Sequence, residues 1–429
     1  MTARGTLGLW SGIGIVAASM IGAGVFLSAG FMAQHMSAGW ILLAWLIGGG
    51  LAMAGAYAYA DVARRVPRSG GEYRYLTDLF HPAVGYLAGW ASLLVGFSAP
   101  SAINAFSAAA FVDKVSGIGD VRVVGSMILI AMTALHAFDL RVSKLAQDGL
   151  IVVKVVLLLG FVGIGLCAGS WSIPAWQPPA QLTAGHFAGD LFYVAFAFSG
   201  WNAAVYAAEQ FREPARDVPR SMLIGCAVVG VFYLIVNWVF VANISPERAA
   251  VVLRYEKDYV TLAHVVATDL VGPTAATFVS LLAIIAFVSA ISAMMMVGPR
   301  IASAMASDGL LPRVFAERHG KPPIGSVLFQ GGVAVLLLWS HSVRAALKNV
   351  GAIIVLFSAL TVACLFWVKP RARRVAMACG AIYVALSAWM LYHGFRDSPT
   401  LLLWSGAVAV IALGAYVVTG RKRGPGGGA

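Results

Sequence analysis

The sequence predicts an all-α polytopic membrane protein with twelve transmembrane helices, two of them interrupted in mid-span. Three observations predict it. Hydrophobic residues make up 60% of the 429 residues and charged residues only 11%, with a mean hydropathy of +0.83. A soluble domain carries about 25% charged residues, so this chain lacks the polar groups to cover a water-facing surface. The apolar residues fall in runs of about 20, the length that crosses a bilayer, and the basic residues collect in alternate loops.

The first run, 7–34, follows the single Arg4 and has no small-residue cleavage pattern, so it reads as a spanning helix rather than a signal peptide. Spans 2 to 6 follow at 39–63, 82–112, 121–138, 145–168 and 187–209. Spans 7 to 12 follow at 219–243, 273–306, 325–341, 346–368, 375–393 and 400–419. Spans 3 and 8 exceed the bilayer thickness and are expected to tilt. Arg216, Asp217 and Pro219 read as the start of span 7, with Asp217 as its cap and the proline in the first turn. The whole chain, 1–429, forms one transmembrane domain, ending in a basic, glycine-rich tail at 420–429.

Charge sets the orientation. Of the 30 Lys and Arg residues, twenty-one lie in the loops on the side of the two termini, eight on the other side, and Lys154 lies within span 5. The positive-inside rule then places both termini in the cytoplasm and the protein in the cell membrane. The net charge of +12 is a topology signal, not the footprint of a nucleic-acid binder. Cys167, Cys226, Cys364 and Cys379 lie in or beside apolar runs with no metal-ligand spacing, and the histidines show no HExxH pattern. No metal, cofactor or disulfide framework is expected. No nucleophile–base set lies at one depth, which argues against an enzyme.

The chemistry lies where the helices break. Span 1 reads Gly12-Ile-Gly-Ile-Val-Ala-Ala-Ser-Met-Ile-Gly-Ala-Gly-Val-Phe26, and each glycine weakens a helix by about 1 kcal/mol relative to alanine. Gly22 and Gly24 fall in mid-span, where unwound backbone must line a cavity rather than face lipid. Opening there frees the N–H groups of Ala23, Gly24 and Val25 at the positive end of the outer half-helix, which suits a carboxylate. Carbonyls of the inner half, Ser19 to Ile21, suit an ammonium group. Glycines of this spacing also serve close helix packing. Span 6 carries a second interruption, Ser199-Gly200 and Asn202 within an aromatic run. Interruptions five spans apart point to an inverted repeat, roughly 7–168 and 187–368, with the pair 375–419 added.

Five stretches resemble the amino acid–polyamine–organocation superfamily. They are Ser19-Met-Ile-Gly-Ala-Gly-Val-Phe26, Pro67-Arg-Ser-Gly-Gly-Glu-Tyr73, Phe196-Ala-Phe-Ser-Gly-Trp-Asn202, Glu213-Pro-Ala-Arg-Asp-Val-Pro-Arg220, and Gly298-Pro-Arg with Ala306-Ser-Asp-Gly-Leu-Leu-Pro312. The wording of span 6 is similar to the L-type, neutral amino acid branch. The resemblance implies a LeuT-like fold of five-plus-five inverted repeats with discontinuous helices 1 and 6. It implies that the substrate carboxylate sits on the amides of Gly22, Ala23 and Gly24. The amino group would meet carbonyls near Met20, Phe196 and Ser199, with Phe196 as a lid over the substrate. Many relatives have serine where this chain has Ala23, so one hydroxyl donor is missing. In animal L-type members a cysteine after helix 3 tethers a heavy chain; the loop 113–121 has none, so no such partner is expected.

Lys154, among the valines of span 5, costs about 2.5–3.5 kcal/mol to place in mid-membrane and is a functional candidate by default. In proton-coupled relatives a helix 5 lysine stands where other transporters of this fold hold a cation. Expected partners are a span 1 carbonyl and Ser289 or Ser292 of span 8. The same lysine also reads as a charged strut. Asn104 can reach the substrate or bond another helix, and Trp201 can wall the pocket or pack. Glu209 and Asp61 read as interfacial groups beside arginines, and Asp190 as a dipole partner at the start of span 6.

These readings converge on a secondary transporter of amino acids, by proton symport or exchange. Neutral side chains are expected, because no mid-span carboxylate stands near the predicted pocket. A basic amino acid or polyamine antiporter is the second reading. A nutrient sensor or a channel is the reading from another class.

Overall fold

In a computed structural model, the structure describes residues 5–420 except 34, 118, 139, 170, 172–175, 177–182, 244–261, 318–322, 341, 342 and 398. The basic tail beyond 420 lies outside them, as do Arg4, Arg248, Arg254, Lys257, Arg318 and Lys321 of the charge count. The described residues are almost entirely helical. Among the described residues ten helices are long and apolar enough to cross a membrane, and two shorter apolar helices, Ile324–Ser340 and Leu401–Gly414, stand at the ninth and twelfth expected positions.

Span 1 is two helices. Leu9–Met20 ends where Ile21 turns extended (ψ 98°), and Ala23–Met32 begins after Gly22 in extended backbone (φ −150°, ψ −154°). Span 6 runs as Ala184–Phe198, stops at Ser199 (ψ 142°), and resumes as a tight 3₁₀ stretch, Ala203–Gln210. Glycine is needed at both breaks because each is packed against the other. A Cβ on Gly24 would lie 2.5 Å from the Ala197 Cα, and one on Gly200 would lie 2.8 Å from the Ser19 carbonyl carbon. Gly200 also has φ +97°, a left-handed conformation that side chains disfavour.

Between spans 2 and 3 the linker folds into a short helix, Glu72–Leu79, after the positive-φ pair Gly70 and Gly71. Span 3 contains a wider π turn at Ser92–Ser98. Pro100 has no N–H to return to the Gly96 carbonyl, which explains the shifted ladder there. Span 7 begins earlier than expected. Glu213 is the flanking residue and Pro214 opens the helix, leaving Asp217 in the first turn and Pro219 inside it. Both prolines suit a helix start, and the upstream one, with its N–H dispensable at the first position, sets it.

Two groups of helices share the core. Spans 1, 2, 6 and 7 pack together, as do spans 3, 4, 8 and 9, and the heaviest pairings include spans 2 with 7, 3 with 8 and 4 with 9. The N-terminal segment meets the end of span 6 through a parallel bridge, Leu7 to Phe211. Arg65 donates to the Pro370 carbonyl, and Arg74 pairs with Asp308. These contacts put the N-terminal segment and the 2–3, 6–7, 8–9 and 10–11 connections at one end. At the other end His35 and Asp190 meet at 2.6 Å.

Candidate functional site

The two breaks face each other at the centre of the core. A helix leaves its last four carbonyls without internal partners, which for the inner half of span 1 are those of Ala18, Ser19, Met20 and Ile21. Three of them receive side-chain donors. Lys154 Nζ donates to Ala18 O at 3.1 Å and Ile21 O at 2.8 Å. The Tyr233 hydroxyl, on span 7, reaches Met20 O at 2.7 Å and Ala197 O at 3.0 Å, so its single proton is shared between the two breaks. The Ser19 carbonyl has no such donor among the described residues, and the buried Ser19 hydroxyl is also without a hydrogen bond.

On the amide side, Ala23 N–H donates to Asn104 Oδ1 at 2.8 Å, while Asn104 Nδ2 donates to Pro100 O. Asn104 thus caps the outer half of span 1 from span 3, holding one of the amides expected to meet a carboxylate. Lys154 is buried, and its ammonium sits at the negative end of the inner half-helix. Ser292 Oγ pairs instead with His136 Nε2 at 2.8 Å, and Ser289 Oγ makes no hydrogen bond among the described residues. Phe196 is buried and its carbonyl accepts from Ser199 N–H. Trp201 turns away from the breaks to pack on Tyr59 and Tyr383, and lines a lateral cavity with Phe198 and Ile354.

The main cavity is lined by Ser19, Ser199 and Gly200 from the breaks and by the apolar side chains of Phe97, Met294, Ile353, Ile354 and Phe357. Its polar floor holds Glu72, Ser92, Asn202 and Tyr206. Its volume of about 40 Å³ gives room for about three waters.

Glu72 was not anticipated here. It reaches in from the linker helix, outside the spans, and is 5% exposed. Its Oε1 accepts from Ser358 Oγ at 2.7 Å and Asn202 Nδ2 at 3.4 Å, and its Oε2 from Ser92 Oγ at 3.5 Å. Burial raises its carboxyl to about 7, opposed by the Ser358 and Ser92 hydrogen bonds. The sequence signal was present in Arg-Ser-Gly-Gly-Glu-Tyr: two glycines ahead of an acid permit the sharp entry that turns it inward. Tyr233 had no sequence signal beyond an apolar span. Among the described residues no cluster of His, Cys, Asp or Glu could hold a metal.

The profile of the family described as "Amino acid permease" matches residues 7–419. The chain is 27% identical to the large neutral amino acids transporter small subunit 2 of Mus musculus over 445 residues, covering 96% of this chain and 81% of that one. It is 24% identical to the Asc-type amino acid transporter 1 of Homo sapiens over 418 residues, covering 92% and 78%. A third relative, the b(0,+)-type amino acid transporter 1 of Mus musculus, is 28% identical over 253 residues, covering 56% and 52%.

Proposed function

The chain belongs to the amino acid permease family, and from that premise we propose that it carries α-amino acids across the cell membrane by alternating access between its two broken helices. The observation that carries this reading is the pair of facing breaks with unpaired peptide groups at one depth. The Gly24 and Val25 amides have no partner among the described residues and lie at a positive helix end, suited to the substrate carboxylate. The Ser19 carbonyl and hydroxyl suit its ammonium. Asn104 holds the Ala23 amide until a carboxylate takes its place. Met20, Ile21, Gly22, Phe196, Ser199 and Gly200 complete the site's backbone. The apolar walls of the cavity suit a neutral side-chain stem.

Twelve spans, an inverted repeat and cytoplasmic termini fit the pairing of helices five apart and the clustering of basic loops at one end. The test is uptake into proteoliposomes over a panel of amino acids, with and without internal substrate and with and without a pH gradient. Uptake of none of them, under any gradient, would leave a sensor or a channel as the better reading.

Lys154 is proposed as the coupling residue. Its two acceptors are carbonyls of the inner half of span 1, so losing its proton removes the charge that holds that half-helix end. Lys154→Ala is expected to abolish stimulation by an inward proton gradient while exchange against internal substrate persists at a reduced rate. Persistence of the full pH-driven component would rule out the proton role.

A further inference from the structure

The acid on the cavity floor belongs to no part of the zwitterion site. Glu72 lines the same cavity as Ser19, Ser199 and Gly200 but bonds to none of the three, its span 6 partner being Asn202. Its hydrogen-bond partners Ser358, Asn202 and Ser92 are all neutral, and it forms no ion pair among the described residues. A carboxylate offers about four lone-pair sites, so three donors, two of them at 3.4 and 3.5 Å, leave room for one more. A buried charge with only neutral donors is costly until a cation or a strong donor joins it. The cavity delivers one candidate to that spot: the tip of a side chain whose α-groups are held at the breaks.

We infer that Glu72 is a specificity-determining residue that favours amino acids whose side chain ends in a nitrogen–hydrogen donor, an ammonium above an amide. This rests on the permease reading above and names the substrate class of the same site. The apolar walls bind the methylene stem and Glu72 reads its end. The competing role is a latch, since the carboxylate ties the linker helix to spans 3, 6 and 10. A glutamine at 72 keeps the carbonyl acceptor for Ser358 and so retains the latch, but has no charge.

The test is equilibrium binding of lysine, norleucine, glutamine and methionine to the purified full-length protein, wild type and Glu72→Gln. Lysine and norleucine differ only by the terminal ammonium, and glutamine and methionine are close in length. A hydrogen bond to a charged group contributes enough for wild type to bind lysine over norleucine by about tenfold or more, with glutamine over methionine by less. Glu72→Gln should bring the lysine to norleucine ratio to near one and leave norleucine affinity within about twofold. Equal binding within each pair in wild type, or an equal loss for all four in the variant, overturns the proposal.

A second measurement needs no variant. The titratable groups facing Glu72 are Tyr59 on span 2, Tyr206 on span 6 and Tyr383 on span 11. Tyrosines and the lysine side chain ordinarily titrate near pH 10, so neither changes charge between pH 6 and 8. Norleucine shares the α-groups, and with them any effect of Lys154, so the ratio isolates Glu72. With the carboxyl at about 7, a tenfold lysine preference should fall about fivefold from pH 8 to pH 6 as Glu72 takes up its proton. A flat ratio overturns the proposal. Binding of none of the four amino acids would instead defeat the permease reading, and this inference with it.

Discussion

At the scale of single residues, the site is defined by which unpaired groups already have a partner. Tyr233 gives one hydroxyl proton to carbonyls on both breaks, Met20 on span 1 and Ala197 on span 6. Among the described residues no other side chain hydrogen-bonds to carbonyls of both. Tyr233→Phe keeps the ring packed against Trp45 and Phe198 and removes only the donor. Two buried carbonyls would then lack it, at a cost of about 1–3 kcal/mol. The expected outcome is a lower apparent melting temperature together with weaker substrate affinity, because the spacing between the breaks relaxes. Thermal unfolding and substrate titration on the same preparation check both. An unchanged affinity would mean that the breaks are held by packing alone. Glu72 makes the complementary point: a carboxylate only 5% exposed, without a cation beside it, is expensive, and proteins keep such groups where they meet a ligand or move a proton.

At the scale of elements, each break depends on a glycine that lets the other break approach. Gly200→Ala puts a methyl 2.8 Å from the Ser19 carbonyl carbon at a φ of +97°, and Gly24→Ala puts one 2.5 Å from the Ala197 Cα. Both are backbone contacts, so no side chain can swing aside. Each substitution is expected to reduce uptake by at least about tenfold, with the protein still inserted in the membrane. Gly14→Ala and Gly30→Ala, which meet nothing within 4 Å, are the controls that should leave uptake unchanged. Uptake counted per inserted molecule separates the two classes. The breaks were legible because glycine in mid-membrane is locally costly and the chain keeps it twice, five spans apart. The start of span 7 was misplaced by a few residues because two prolines compete for the role and local chemistry does not rank them. The Glu72–Leu79 helix was not legible as part of the site. Its composition is that of a polar loop, and only the turn at Gly70 and Gly71 carries Glu72 inward. Asn104 reads as able to bond another helix, and it does, but its partner, like the bridge made by Tyr233, was hidden for a further reason. A polar residue in an apolar span identifies a need for a partner, whereas its partner depends on packing between helices far apart in the chain.

At the scale of the whole molecule, the cavity lies on the seam between two bodies. Ser19, Ser199, Gly200 and Tyr206 come from spans 1 and 6, whereas Ser92, Phe97 and Met294 come from spans 3 and 8. Spans 1 and 6 are tied to each other at both ends. Leu7 and Phe211 pair through main-chain bonds, Leu7 N–H to Gln210 O and Arg212 N–H to Leu7 O, at one end, and His35 meets Asp190 at the other. The seam is crossed by side-chain contacts, among them the Asn104 bond to the Ala23 amide and the edge-to-face rings of Phe97 and Tyr206, 5.1 Å apart. Packed cores switch between discrete arrangements rather than deforming smoothly, so motion should concentrate at the seam and spare the ties. In a background with the four native cysteines replaced, a disulfide between cysteines at 7 and 211 should therefore leave transport intact. A link between cysteines at 97 and 206 should stop it, with recovery on reduction. The reversibility matters, because it separates a locked seam from a cavity damaged by the substitutions themselves. If the 7–211 link stopped transport as completely, the inner halves of the broken helices would have to part during the cycle, and spans 1 and 6 would not move as one body.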